Sequence, residues 1–192
     1  MVRESLGAFS DPEQLAMWVK VSIMELISSV TDDGYNGRFF AYHTRTRQVE
    51  EMYYRTLYIL FVAKDSFLPH VFSGEPPNSF AAMWREVNQV VLDGNGILDT
   101  LQLSSDGKEF TAMGMLNDSA HASIAAMATS IGISRSPELR AEVIPKHLEH
   151  WRRLCRYLDY IENMFKAGKA REVVLAAVRS LHKPASYWQA KK

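Results

Sequence analysis

The stretch TRQVEEMYYRTLYILFVAK, residues 46–64, decides the fold class of this chain. Apolar and aromatic residues recur at the three- and four-residue spacing of one helical face, and others cover much of the opposite face. A helix that is apolar nearly all round is buried on several sides. The stretch therefore predicts a central helix. Its two faces are Val49, Met52, Tyr53, Thr56, Leu57, Leu60 and Phe61, and Tyr54, Tyr58, Ile59 and Val62.

A first helix is predicted on the amino-terminal side of this stretch. Ser10 and Glu13 have the spacing of a capping box, and Pro12 suits the first helical turn. Apolar residues then recur at helical spacing to about Thr31, and the turn signal DDG at residues 32–34 ends the helix.

Helix signals also dominate the carboxyl-terminal side. No segment alternates convincingly between apolar and polar residues, so strands are not expected. Up to Gly132, the predicted elements are a helix from residue 78 or 79 to 91, a short helix over 97–103, a turn at 104–107, and a small-residue-rich helix from residue 118 or 119 that Gly132 closes. Beyond Gly132, they are a short helix that halts before Pro145, a helix from Pro145 to Gly168, and a last helix over 171–181.

The predicted architecture is an all-α bundle of about eight helices. We expect two helical lobes, an amino-terminal one over residues 1–132 and a basic carboxyl-terminal one over 145–183, with a tail at 184–192. The stretch between Gly132 and Pro145 is the best candidate boundary because it combines a glycine, a serine-proline pair and a second proline.

Composition narrows the class of protein. The chain has 192 residues and 47% hydrophobic residues, which is typical of a globular domain, and its one cysteine cannot form an internal disulfide. No signal peptide is recognised at the amino terminus, and the longest apolar run, LYILFVA, is too short to span a bilayer. We therefore expect an intracellular location in cytoplasm or nucleus, at the inner face of a membrane, or in a virion.

The net charge of zero hides a strong asymmetry. Residues 145–192 hold 11 Lys and Arg against 4 Asp and Glu, a net +7, so residues 1–144 carry −7. Such a division suggests a partner for the basic part, which is acidic lipid, nucleic acid such as RNA, or the acidic part of another copy, although attraction within one molecule is an open alternative. The candidate anion-binding residues are Arg152, Arg153, Arg156, Lys166, Lys169, Arg171, Arg179 and Lys183.

The small-residue-rich helix is a candidate surface for self-association. Small side chains allow another backbone to approach closely, but alanine is also common in cores, so a buried internal helix is the alternative. The candidate contact residues are Ala122, Ala125, Ala126 and Ser130.

Recognised catalytic and cofactor motifs are missing from the sequence. The P-loop, the G-x-S-x-G elbow, the G-x-G-x-x-G fingerprint and the H-E-x-x-H zinc motif do not occur. His147 and His150 share a helical face, but Cys155 falls elsewhere on the wheel, and a closed zinc site needs four ligands. We therefore predict no catalytic residue, no metal and no cofactor. Should the chain be an enzyme, His43, Tyr54 and His121 are the first residues to inspect.

Residues 57–132 resemble the matrix protein of orthomyxoviruses, the influenza-like viruses. The apolar run LYILFVA is followed by a polar loop, by the helix MWREVNQVVLDGNG with its Gly-Asn-Gly turn, and by the Ala/Ser/Met-rich segment LNDSAHASIAAMATSIGI. The chain departs from the family in lacking the Lys/Arg-rich patch soon after that turn and the paired Cys and His cluster. No functional residue is carried over.

The resemblance implies a non-enzymatic, all-helical protein whose copies polymerise under a viral envelope. Such a layer would touch acidic lipid on one side and ribonucleoprotein on the other. Two alternatives stay open from the residues themselves: a helical binding or regulatory module, such as an effector or a nucleic-acid-binding adaptor, and a helical enzyme with a buried pocket.

Overall fold

A computed structural model describes residues 12–63, 80–91, 102–105, 108–111 and 124–182 of the chain. Helix dominates these residues, which confirms the predicted all-α class. The described part contains six α-helices rather than about eight: α1 (Pro12–Tyr35), α2 (Phe39–Phe61), α3 (Phe80–Glu86), α4 (Ile124–Arg135), α5 (Pro137–Lys166) and α6 (Arg171–Leu181). A π-helix, Val87–Val91, continues directly from α3.

The predicted central helix is confirmed as α2. It begins at Phe39, seven residues before the expected start, and carries the aromatic residues Phe39 and Tyr42 into the interior. Tyr53 and Leu57 on one face are at most 1% exposed, while Tyr54 and Ile59 on the other face are at most 5% exposed. Burial on both faces agrees with the all-round apolar pattern of the sequence.

The connection between α1 and α2 is held by a buried carboxylate. Asp33 is only 2% exposed and accepts hydrogen bonds from Arg38 Nε, at 2.7 Å, and from Arg45. These bonds explain why α1 runs through the expected stop at residues 32–34 and ends at Tyr35 instead. Gly37, with φ at +72°, then reverses the chain in a conformation that favours glycine.

The helix α5 is continuous through Pro145, so the predicted halt before that residue is wrong. Proline lacks an N–H and removes one helical hydrogen bond, at a cost of roughly 3 kcal/mol. Buried apolar residues on both sides of Pro145 offset this cost, since Val143, Ile144 and Trp151 are at most 6% exposed. Packing therefore overrides the local signal at this position.

Two further expectations are corrected. The residues predicted as a short helix at 97–103 and a turn at 104–107 include part of an antiparallel hairpin, in which β1 (Gln102–Ser105) pairs with β2 (Lys108–Thr111). This hairpin is the only sheet in the described ranges. The prediction that Gly132 closes α4 is also wrong, since the helix continues through this glycine to Arg135.

The end of α5 and the last helix follow the sequence closely. Gly168, with φ at +68°, separates α5 from α6, and α6 has the predicted bounds. Val174 and Val178 of α6 are fully buried, as are Val87 and Val91 of the π-helix. Arg179 joins these two elements by donating from Nε to the carbonyl of Val91 and from Nη2 to that of Val90, at 3.0 and 2.9 Å.

The chain divides into two compact units, each assembled from separated stretches. Unit 1 draws on residues 1–21, 52–97 and 156–192, and unit 2 on residues 22–51 and 98–155. The lobes expected at 1–132 and 145–183 stay a prediction, and the tail at 184–192 lies outside the described residues. None of the helices in the described part combines the length and hydropathy that a bilayer crossing requires.

Candidate functional site

The helix α4 presents an apolar stripe to solvent. Ile124, Met127 and Ile131 are 84%, 39% and 52% exposed, and their spacing of three and four residues places them on one face. Ser130 and Ile133, by contrast, are 2% and 7% exposed, so they define the face that packs inward. Within the described residues, α4 therefore has one buried face and one face of exposed apolar side chains.

The residues predicted for self-association fall differently. Ser130 is buried within the chain, where its Oγ lies 3.0 Å from Nδ1 of His43. The backbone of Ala125 and Ala126 belongs to α4, but their side chains and the whole of Ala122 lie outside the described part. The sequence pattern showed the helix to be apolar, but it did not single out the isoleucines and methionine that face solvent.

Several of the eight candidate cations are engaged within the chain, Arg156 among them. Lys166 forms an ion pair with Glu162, which also accepts from Lys20 at 2.6 Å. Arg179 donates to the two backbone carbonyls described above. Arg153 is half-buried and donates from Nη2 to Nδ1 of His150 at 3.2 Å.

Four more of the candidate cations lie at the surface. Arg152, Arg156, Lys169 and Arg171 are exposed, and the Arg171 guanidinium lies 5.8 Å from the ring centroid of Phe61. Arg152 and Lys169 form no ion pair with any carboxylate of the described residues. Lys183 lies outside the described part. The basic quarter therefore retains cations that an anionic surface can approach.

The exposed side of α5 is not uniformly basic. Acidic and basic residues share it, and Lys146 pairs with Glu142 at 2.5 Å. The exposed charged residues along this side are Glu138, Glu142, Lys146, Glu149, Arg152, Arg156, Asp159 and Lys166.

A cluster of buried histidines lies inside unit 2. His147 is fully buried, its Nδ1 bonds to the hydroxyl of Tyr42, and its ring stacks on that of Trp151 with centroids 5.6 Å apart. His43 is also fully buried, and its T-shaped contact with Tyr42 extends the cluster. Nε2 of both imidazoles is buried without a hydrogen-bond partner among the described residues.

Burial keeps these two histidines neutral. Removal from water lowers the pKa of His43 to about 4. The same loss of water, together with the neighbouring His43 and His150, lowers the pKa of His147 to about 3. Burial also raises the pKa of the Tyr42 phenol, so its hydroxyl keeps its proton and can donate to His147 Nδ1.

The third buried histidine, His150, is hydrogen-bonded to Arg153 and to Glu50, and these three side chains form a polar relay. His150 Nδ1 accepts from Arg153, so its Nε2 carries the proton and donates to Glu50 Oε1 at 2.5 Å. Sequence spacing placed His147 and His150 on one face of α5, but their partners Tyr42 and Glu50 are about a hundred residues away in the chain. Only the tertiary structure joins them.

All three histidines are buried and bond to side chains of unit 2. No group of three or more His, Cys, Asp or Glu side chains in the described ranges is arranged to hold a metal ion. Of the residues named for an enzyme, His43 and Tyr54 are buried, and His121 lies outside the described part.

No family model, curated protein or solved structure matches the chain.

Proposed function

We propose that this chain is a self-associating structural protein of viral matrix type. In this proposal, copies assemble through the exposed apolar stripe of α4, and the basic carboxyl-terminal quarter approaches an acidic membrane surface and ribonucleoprotein. The observation that carries the proposal is the stripe itself, formed by Ile124, Met127 and Ile131 on a helix whose opposite face is packed.

Charge supports a second copy as the partner of this stripe. The chain divides into parts of net −7 and +7, so an acidic surface of one copy attracts a basic surface of the next. A contact between two different surfaces that does not close into a ring propagates as an array. The resemblance of residues 57–132 to orthomyxovirus matrix proteins supports the same reading.

The stripe sets the expected strength of association. Full burial of an Ile or Met side chain contributes roughly 1.5–3 kcal/mol, and these three side chains are already partly covered. Association costs roughly 4–15 kcal/mol in lost translational and rotational freedom. A single contact is therefore weak, and assembly should depend on concentration, salt and the presence of many copies on one surface.

Binding to an acidic membrane is tested by co-sedimentation with liposomes. We expect the chain to pellet with vesicles that contain phosphatidylserine, and to remain in solution with phosphatidylcholine vesicles or at high salt. Arg152→Gln and Lys169→Gln should each weaken binding by about fivefold, since each removes roughly 1 kcal/mol of attraction.

Lys146→Gln is the matched control, because Lys146 is already paired with Glu142. Equal binding to neutral and acidic vesicles would refute the role of the cations. Retention by RNA instead of acidic vesicles would favour the nucleic-acid-binding alternative over a membrane-bound layer.

A further inference from the structure

The exposed face of α4 has small residues beside its large apolar side chains. Ile124, Met127 and Ile131 are exposed, and so is Ala128 on the same face. Gly132 follows Ala128 by four residues, so the two small residues are neighbours on the helix surface. The face therefore combines raised side chains with a short stretch at which the backbone itself lies near the surface.

Gly132 is an unfavourable residue for its position. It lies inside α4, where glycine is among the poorest helix formers because it loses the most conformational freedom. A Cβ at Gly132 would meet no heavy atom of the described part within 4 Å, so close packing inside the chain does not require a missing side chain. Since neither the helical backbone nor its described surroundings account for this glycine, a contact with another molecule is its best explanation.

The chemistry of this face fits a second copy of itself. Residues 124–132 contain no charged side chain, so two such faces meet without burying an unpaired charge. A two-fold contact uses the same patch on both subunits, so the patch must be complementary to itself. The large side chains of α4 and the small residues that leave room for them lie on one face. The parts of the chain with net −7 and +7 add an attraction between copies.

We propose that α4 pairs with α4 of a second copy about a two-fold axis, with the two helices in close contact at Ala128 and Gly132. This inference rests on the proposed function, since it names the surface that the stripe of α4 contacts. The distance between packed helices is set by the side chains at their contact, so small residues there let the two backbones approach closely. A two-fold pair is closed, and the contact between acidic and basic surfaces then links such pairs into the array.

Added bulk separates this pairing from general attraction between apolar surfaces. Gly132→Leu and Ala128→Leu each enlarge the apolar area of the face, so general attraction predicts tighter association. A close-packed pair predicts the opposite, because the new side chain holds the two backbones apart. We expect the dimer dissociation constant from sedimentation equilibrium to rise at least tenfold in each variant. Ala176→Leu, at an exposed position of α6, is the matched control and should change it less than about twofold.

Gly132→Ala should change folding and pairing in opposite directions. Alanine is the better helix former and its Cβ meets nothing within 4 Å, so Tm should rise at concentrations at which the chain is monomeric. The dimer dissociation constant should also rise, by about threefold or more, because a Cβ from each copy enters the closest part of the contact. Thermal melts at the same low concentration check that Gly132→Leu and Ala128→Leu fold.

Cysteine cross-linking tests the two-fold geometry. In a Cys155→Ser background, Ala128→Cys places a thiol of each copy at the contact, so a short thiol cross-linker should yield covalent dimers, whereas Ala176→Cys should yield few. Equal cross-linking at the two positions, or association of Gly132→Leu as tight as that of the wild type, would overturn the α4 pair and leave self-association in place. A wild type that stays monomeric would instead refute the proposed function, and this inference with it.

Discussion

Acidification from about pH 7.5 to about pH 5 should destabilise unit 2, because His43 and His147 cannot be charged where they lie. Both side chains are fully buried, and Nε2 of each lacks a partner in the described residues. In the unfolded chain each imidazole is hydrated and takes up a proton near its ordinary pKa of 6.5. The unfolded state therefore gains protons that the folded state does not.

The way in which stability changes with pH follows from the number of protons that each state binds. The folded pKa is lowered to about 4 for His43 and about 3 for His147, so stability rises with pH between those values and 6.5. The contribution is fully present above the unfolded pKa and is lost as the pH falls. The pKa values of Glu138 and Glu162 are lowered from 4.5 in the folded state, so the stability that they contribute is lost only below about pH 4.5, outside the compared range of pH 7.5 to 5.

The expected magnitude is a large fraction of the stability of a domain. One pH unit corresponds to about 1.36 kcal/mol per proton, and pH 5 lies about 1.5 units below the unfolded pKa. Each histidine therefore contributes about 2 kcal/mol and the pair about 4 kcal/mol, against a typical total of roughly 5–15 kcal/mol. Glu50, His150 and Arg153 form the neighbouring relay, and the substitutions below leave these three residues unchanged.

Urea denaturation at the two pH values measures this loss. His43→Gln can still hydrogen-bond to Ser130 Oγ but takes up no proton, so the loss on acidification should fall to about 2 kcal/mol. Trp151→Phe is the control, because it changes packing in the cluster without changing a titratable group, and the loss should stay near 4 kcal/mol. A wild type that is equally stable at both pH values, or an unchanged loss in His43→Gln, would refute the reasoning.

Three further experiments test the fold. Asp33→Asn should cost about 3 kcal/mol of unfolding free energy in urea by breaking the buried pairs with Arg38 and Arg45, while Asp32→Asn at the surface should cost under about 1 kcal/mol; similar losses would contradict the burial. Gly34→Ala would place a Cβ 2.9 Å from Tyr42 Cδ2 and should lower Tm by several degrees, whereas Gly132→Ala meets nothing within 4 Å and should raise it. Arg179→Ala should speed hydrogen exchange in the π-helix, because it frees the carbonyls of Val90 and Val91; unchanged exchange would show that these bonds do not hold the helix.

The sequence predicted the central helix well because its pattern is redundant. Tyr53 and Leu57 specify one buried face, Tyr54 and Ile59 the other, and no single residue decides the result. The start at Phe39 was missed because it depends on Gly37, which reverses the chain, and on the pairing of Asp33 with Arg38 and Arg45. Those contacts join residues on both sides of the predicted turn at residues 32–34, and no local pattern shows that pairing.

Pro145 is the opposite case, because tertiary packing keeps the helix continuous where the local sequence signal predicts its end. A proline inside a helical pattern usually marks a boundary, but Val143, Ile144 and Trp151 bury a continuous face on both sides of it. The sequence could not weigh that burial against one missing hydrogen bond, because the surfaces that cover these residues come from distant parts of the chain.

The candidate surfaces were predictable as segments but not as residues. Charge counting identified the basic carboxyl-terminal quarter, yet Arg179 holds the π-helix and Arg153 joins a buried relay. Composition likewise identified α4. Which of Ser130 and Ile131 faces solvent, however, depends on the buried His43, whose Nδ1 is hydrogen-bonded to Ser130 Oγ. A pattern within one helix shows that it has two faces, and only its neighbours decide which face is covered.

Sedimentation velocity of the wild type beside an Ile124→Glu/Ile131→Glu variant tests the central claim most directly. Both isoleucines are more than half exposed, so the variant should fold normally, and Val173→Glu on α6, at 49% exposure, is the matched control. We predict that the wild type and the control form larger species with rising concentration and falling salt, while the double variant remains a monomer. A wild type that stays monomeric throughout, or a double variant that assembles as the wild type does, would contradict self-association through α4.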